Sequence, residues 1–267
     1  MNDTQNSANG FEADGWVYRA RIGLLVPDGD VGPESEFSAM VPPGVGVNAS
    51  RFHFPSGQGA KKAGEIGTSP VEMVAAPGPL DDAVRLLERA PVDVIALAFT
   101  STSYVGGPGD DPALAARLRE ISGDKPVVTT GTAIVQACQA FGARNVMLVD
   151  PPWFPESLTA MGGEWLNRNG VGIASVQSAG LPTGQGNIHP GGLYRWLRQN
   201  VTSGADAIVI GGNGFRAVGA VRCLEADLGI PVITANTALL WLALRTIGLP
   251  TQEVTRYGRL FAQDWQA

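Results

Sequence analysis

The chain has 267 residues, 44% apolar and 16% charged, enough to bury a substantial core in one large domain or two small ones. A net charge of −6 excludes the basic face of a nucleic-acid binder, and no apolar run approaches the ~18 residues of a membrane span. Two cysteines, Cys138 and Cys223, and two histidines, His53 and His189, supply neither a disulfide framework nor the ligand spacing of a zinc site.

The opening stretch MNDTQNSANGFEADG is polar, with no basic start and no apolar segment. It does not read as a secretory signal, and residues 1–18 are expected to form a disordered tail on a cytoplasmic protein. Short apolar runs then alternate with longer amphipathic stretches. The runs at 21–27, 44–52, 92–99, 125–130, 144–150, 170–179, 205–212 and 230–236 are expected to be strands. Their near-continuous apolar character suits parallel strands covered on both faces. Between them, PLDDAVRLLERA (79–90) and DPALAARLREIS (111–122) carry apolar residues at helical spacing. Strand and helix in alternation predict an α/β fold.

The third run poses a question. Val94 to Phe99 carry no charge and lead straight into four hydroxyls, Thr100, Ser101, Thr102 and Ser103, followed by Tyr104 and a pair of glycines. This is either a polar strand exit capping the next helix or a cradle for an anion.

A weak internal repeat is present. PVVTTGTAIVQACQAFGA (126–143) resembles PVITANTALLWLALRTIGL (231–249), and each follows a strand ending in small polar residues. Either all parallel-strand-to-helix junctions look alike, or the chain holds two similar α/β lobes related by pseudo-symmetry. In open parallel sheets ligands sit beyond the carboxyl ends of the strands. Those ends are Asp28 to Asp30, Phe99 to Ser103, Thr130 to Thr132, Asp150 to Trp153, Gly211 to Gly214, and Asn236 with Thr237. The hydroxyls and backbone N–H groups at Thr100 and Ser101 suit a carboxylate. Gly212, Asn213 and Gly214 offer the same through bare backbone, with Asn213 adding an amide. Two donor clusters facing one cleft fit a small carboxylate, or an enediolate formed from one.

These residues carry a resemblance. From about Arg21 to Leu249 the chain resembles the aspartate/glutamate racemase superfamily, in the branch of maleate cis-trans isomerases and arylmalonate decarboxylases. The matching pieces are IGLLVPDGDVGPESEF, VIALAFTSTS, PVVTTGTAIVQACQAFGARNVMLV, NIHPGGLYRWLRQ, ADAIVIGGNGF and LGIPVITANTALLWLALRTIGL, in order. The resemblance implies two Rossmann-like lobes with parallel sheets related by a pseudo-two-fold axis and the active site in the cleft between them. The N-terminal lobe would comprise 19–135 plus 240–267, and the C-terminal lobe 136–239. It implies carbon-acid chemistry on a small carboxylic acid, no metal, no organic cofactor, and a possible homo-oligomer.

The resemblance also implies one or two cysteine thiols at the ends of the third strand of each lobe. Those positions hold Phe99 and Gly212. Cys138 and Cys223 fall inside helical patterns and read as small apolar residues. An aspartate is therefore the expected proton carrier: Asp30 from the first lobe, Asp150 from the second, with Asn213 beside them. A turn role for either aspartate is the competing reading. Phe99 and Trp153 would wall the site, and Tyr104 would donate to an enediolate or simply pack. The reaction is expected to be isomerisation or decarboxylation. A non-catalytic carboxylate binder and a carboxylate-assisted hydrolase or lyase are the alternatives.

Overall fold

The computed structural model describes residues 16–55, 66–107 and 109–264. In chain order the elements of the first half are β1 (Ala20–Pro27), α1 (Gly32–Met40), β2 (Val45–Phe52), α2 (Thr68–Ala75), α3 (Pro79–Glu88), β3 (Val94–Leu97), α4 (Ser101–Val105), α5 (Asp110–Ile121), β4 (Val127–Thr129) and α6 (Thr130–Phe141). The second half contains β5 (Val146–Asp150), α7 (Glu156–Arg168), β6 (Ile173–Ser178), α8 (Pro190–Asn200), β7 (Ala207–Ile210), α9 (Val218–Leu228), β8 (Val232–Thr234) and α10 (Ala235–Thr246). Each of the eight expected strands is present, the first longer by one residue and the others shorter.

The strands form two four-stranded sheets, ordered β2-β1-β3-β4 and β6-β5-β7-β8. Every pairing is parallel. The second order is the first shifted by four strands, so the two halves share one α/β topology. Alternation sorts the first sheet into two faces. Ile22, Leu24, Val26, Val94, Ala96 and Ala98 face a core that continues through the second sheet. Leu25, Ile95, Leu97 and Phe99 face a separate cluster under α2, α3 and α5.

The internal repeat has a physical meaning. Thr129 accepts a hydrogen bond from the N–H of Thr132 at the start of α6. Thr234 does the same for Thr237 at the start of α10, where the reciprocal bond completes a capping box. The two helices so capped pack on each other, and α10 also crosses to β3 of the other sheet. Of the tail expected over 1–18, residues 1–15 lie outside the described residues, while Val17 and Tyr18 lie against Gly46 and Gly44. Among the described residues no helix is long and apolar enough to cross a membrane.

Candidate active site

The carboxyl ends of β1 and β3 in one sheet and β5 and β7 in the other converge on a small cavity of about 30 Å³. Its lining includes Asp30, Phe99, Thr100, Ser101, Trp153, Gly212, Asn213 and Gly214. These strand-end residues were expected to meet, and they do. Tyr104 and Asp150 are not among the lining residues.

The four hydroxyls after β3 have separate destinations. The Thr100 hydroxyl donates to Asn213 Oδ1 at 2.7 Å, and the Thr100 N–H donates to the same oxygen at 2.9 Å. Thr102 donates to the Phe99 carbonyl and Ser103 to Asp111. Ser101 alone has a hydroxyl with no hydrogen-bond partner among the described residues, and it lines the cavity. The row is thus one clasp, two local bonds and one open donor. This corrects the expectation that Thr100 presents its donors outward.

Asn213 is likewise engaged. Its NH2 donates to Thr130 Oγ1 at 3.1 Å and to Asn236 Oδ1 at 2.9 Å. Asn236 in turn donates to the Asn213 carbonyl and to Glu36 Oε2. The other oxygen of Glu36 accepts from the N–H groups of Ala217 and Val218. A buried chain therefore runs Thr100–Asn213–Asn236–Glu36. It fixes the turn at 212–214 against both α1 and β3. With its amide fully used, Asn213 orients the site and does not offer the donor that its position promised. By contrast, the backbone N–H groups of Gly212, Asn213 and Gly214 have no acceptor among the described residues. All three residues line the cavity, so these groups are available to an anion there.

Asp30 belongs to the loop after β1. Arg51 holds this loop through the carbonyls of Pro27, Asp28 and Asp30, and pairs with Glu34. Burial raises the Asp30 carboxyl to about 6, against the hydrogen bond from Gln185 and the charge of Arg51. Gln185, on a 3-10 turn of the other lobe, also accepts from the Val31 N–H. Asp28 points away to His53.

Phe99 fills an apolar recess, its ring edge-to-face with Phe52 and Phe54 at centroid distances of 5.6 and 5.1 Å. Trp153 stacks edge-on against Phe215. Gly212 has φ +75°, and a Cβ there would fall 2.7 Å from Pro151 Cγ. A side chain at this position would be strained in this backbone.

The remaining two expected site residues form a pair behind the cleft wall. Asp150 is fully buried and accepts from the Tyr104 hydroxyl at 3.1 Å, and its second oxygen completes no hydrogen bond. Burial lifts Asp150 to about 7, with the Tyr104 and Thr159 hydroxyls pulling the other way. Burial next to Asp150 raises the Tyr104 phenol well above its usual range. Tyr104 packs among Phe154, Trp165 and Gly162 of the second lobe. Both residues were expected at the substrate; the structure seats them in the interlobe core. The two thiols are also remote. Cys138 is buried in α6, which pushes it up to about 12, and Cys223 is exposed on α9.

Two participants escaped the sequence reading. Glu36 had a signal: it shares a helical face with Pro33, Phe37 and Met40, all buried, so a lone carboxylate stood on an apolar stripe. Gln185, in an irregular segment, had none.

A family model described as arylmalonate decarboxylase matches residues 78–261. The maleate isomerase of Nocardia farcinica is 29% identical over 253 residues, covering 91% of this chain and 96% of that protein. The arylmalonate decarboxylase of Bordetella bronchiseptica is 26% identical over 196 residues, covering 68% and 77%. Among solved structures, a maleate isomerase variant from Pseudomonas putida S16 with maleate superposes with a TM-score of 0.79 at 22% identity, covering 91% of this chain and 98% of that one. A cysteine-to-serine variant of the Nocardia farcinica maleate cis-trans isomerase with a covalently bound succinylcysteine intermediate gives 0.77 at 26% identity, covering 92% and 99%.

Proposed function

The chain belongs to the arylmalonate decarboxylase family, and from that premise we propose that it is a cofactor-independent isomerase or carboxy-lyase acting on a small carboxylic acid, with Asp30 in the place of a thiol as proton carrier. The relatives support the reaction class, being maleate isomerases and an arylmalonate decarboxylase. One of them carries a succinylcysteine. Here Phe99 and Gly212 occupy the positions where the resemblance puts thiols, and neither cysteine of the chain lines the cleft.

The observation that carries the proposal is Asp30: a carboxyl lining the interlobe cavity and raised to about 6, together with a serine hydroxyl and three N–H groups that have no partner among the described residues. A substrate carboxylate bound by Ser101 and the N–H groups of 212–214 would place its α-carbon towards Asp30. The Asp30 carboxylate takes the α-proton, the C–H electron pair enters the carboxylate as an enediolate, and the N–H groups stabilise the added charge. Return of a proton to the same face gives exchange alone, and delivery of a proton from solvent to the opposite face, with Asp30 later releasing its own to solvent, completes an isomerisation. In a decarboxylation, CO2 leaves with the C–C bond broken, and protonated Asp30 supplies the proton to the same carbon. Repulsion between Asp30 and anionic substituents favours an α-carbon bearing an amine, amide or hydroxyl.

The test is hydrogen exchange at carbon. Malonate, maleate, succinate, aspartate and aryl-substituted acids are incubated with the protein in D2O and followed by proton NMR. At least one acid should exchange or turn over, and Asp30→Asn should slow it by roughly 10²- to 10⁴-fold with the thermal unfolding transition retained. Undiminished exchange in Asp30→Asn, or none with any acid, refutes the proposal.

A second reading has one observation in its favour. The cavity between Asp30 and Ser101 is of water size, which fits an Asp30-activated water and a hydrolase or hydratase-type lyase. Incorporation of 18O from labelled water into product would select it.

A further inference from the structure

Beside the cleft lies a larger cavity of about 470 Å³, bounded by α1, the turn at 185–187 and the start of α9. Its polar lining is Ser35, Glu36, Gln185, Arg216 and Tyr257. Gly214 borders both cavities. Gln185, which lines the larger cavity, donates a hydrogen bond to Asp30, which lines the smaller. A Cβ on Gly214 would lie 2.6 Å from Gln185 Nε2 and 3.2 Å from Asp30 Oδ2, so the absence of a side chain leaves room for this hydrogen bond.

Two facts then bear on the ligand. The cleft, at about 30 Å³, has room for little more than water, whereas several hundred Å³ is the usual volume of a small-molecule site. And Arg216 forms no hydrogen bond or ion pair among the described residues; its electrostatic influence falls on Glu36. Glu36 itself has both oxygens occupied, by Asn236 and by the N–H groups of Ala217 and Val218. The larger cavity thus presents a satisfied carboxyl and, at an exposed position, a guanidinium that acts on Glu36 through charge but makes no hydrogen bond among the described residues.

We infer that this cavity receives the far end of the substrate, and that Arg216 selects an acid whose second anionic group is separated from the reacting carbon by a chain of several atoms. The inference rests on the cleft as the reacting centre, as proposed above. Gln185 turns aside, the chain passes over Gly214, and the distal carboxylate pairs with Arg216. Arg216 is two residues beyond Gly214, within roughly 7 Å along extended backbone, so a short aliphatic chain spans the interval. Compact diacids, with both carboxylates near one carbon, do not reach it.

Ligand-observed NMR and calorimetry on the full chain provide the test, with malonate and succinate as short diacids, adipate and pimelate as long ones, and hexanoate as the monoacid control. Long diacids are expected to bind at least roughly tenfold more tightly than short diacids or hexanoate. That advantage should vanish in Arg216→Ala, with hexanoate affinity as in the wild type, and in Ala39→Trp, which fills the cavity from an exposed position on α1 and so weakens long diacids and hexanoate alike. Equal affinity across the series, or an advantage that survives both variants, overturns the inference. If Asp30-dependent exchange is found without any preference for long diacids, the cleft reading stands and this inference falls. If Arg216-dependent binding is found without exchange at carbon, the binding site stands and the catalytic reading falls.

Discussion

Asp30 shows how a single residue gathers its properties from four directions. Burial lifts its carboxyl, while Gln185 and Arg51 pull it down and Asp28 pushes it up slightly, leaving it near 6. If the carboxylate form is the base, exchange at carbon should rise about tenfold per pH unit below 6 and level off above it. Gln185→Ala removes the larger of the two lowering influences, so the break should move to higher pH. A pH–rate profile of the two proteins checks this, and an unmoved break would mean that another group titrates. Phe99 makes a complementary case. Its ring fills the recess between Phe52 and Phe54, and truncation in Phe99→Ala should cost about 3–5 kcal/mol in urea unfolding. The same aromatic recess explains why a cysteine there would not simply restore a thiol site: it would leave a cavity behind the sulfur.

At the scale of elements, the strand-helix junctions do the positioning. Thr234 caps α10 with a reciprocal bond to Thr237, whereas Thr129 caps α6 by accepting from Thr132 alone. The reciprocal bond runs from the Thr234 backbone N–H and survives truncation of the Thr234 side chain, so Thr234→Ala and Thr129→Ala should each cost about 1 kcal/mol, read from urea unfolding. A clearly larger loss in Thr234→Ala would show that the two bonds of the box strengthen each other. Much of this level was legible in the sequence. Eight apolar runs marked eight parallel strands, most plainly β3, β5 and β7, because strands buried on both faces show no alternation to obscure them. The paired Pro-Val-x-Thr segments marked the repeated caps. At the site, legibility stopped at position. Strand ends placed Asp30, Phe99, Ser101 and Gly212 around one cleft, since chain order fixes which ends converge. What each side chain does there depended on partners that sequence separation hides. Asn213 meets Thr100 across 113 residues and Asp30 meets Gln185 across 155. Asp150 stands at the end of β5 and Tyr104 on α4, but Tyr104 turns into the opposite lobe, where Gly162 leaves room for its ring.

Across the whole molecule, the two lobes are joined by polar contacts in which carboxyls recur. Asp30 accepts from Gln185, Glu36 accepts from Ala217 and Val218, and Asp150 accepts from Tyr104, each bond crossing between sheets. Desolvation is the leading cause in all three, raising Asp30 and Glu36 to about 6 and Asp150 to about 7, from ordinary values of 3.8, 4.5 and 3.8. The folded protein therefore holds protons that the unfolded chain has already released over roughly pH 4 to 7. Native proton excess makes the unfolding free energy fall as pH rises through that window, each displaced pH unit being worth about 1.4 kcal/mol per group. Neutral carboxyls suit the interlobe core, and their ionisation opposes it. Urea unfolding at pH 5 and pH 8 should thus find the protein more stable at pH 5. In Asp150→Asn the carboxyl with the highest value is gone while the amide still accepts from Tyr104, so the loss between pH 5 and 8 should shrink, chiefly through a gain at pH 8. Stability that is equal or greater at pH 8, or an unchanged difference in Asp150→Asn, would show that the interlobe carboxyls ionise without cost, and that the lobes part or admit water around them near neutral pH.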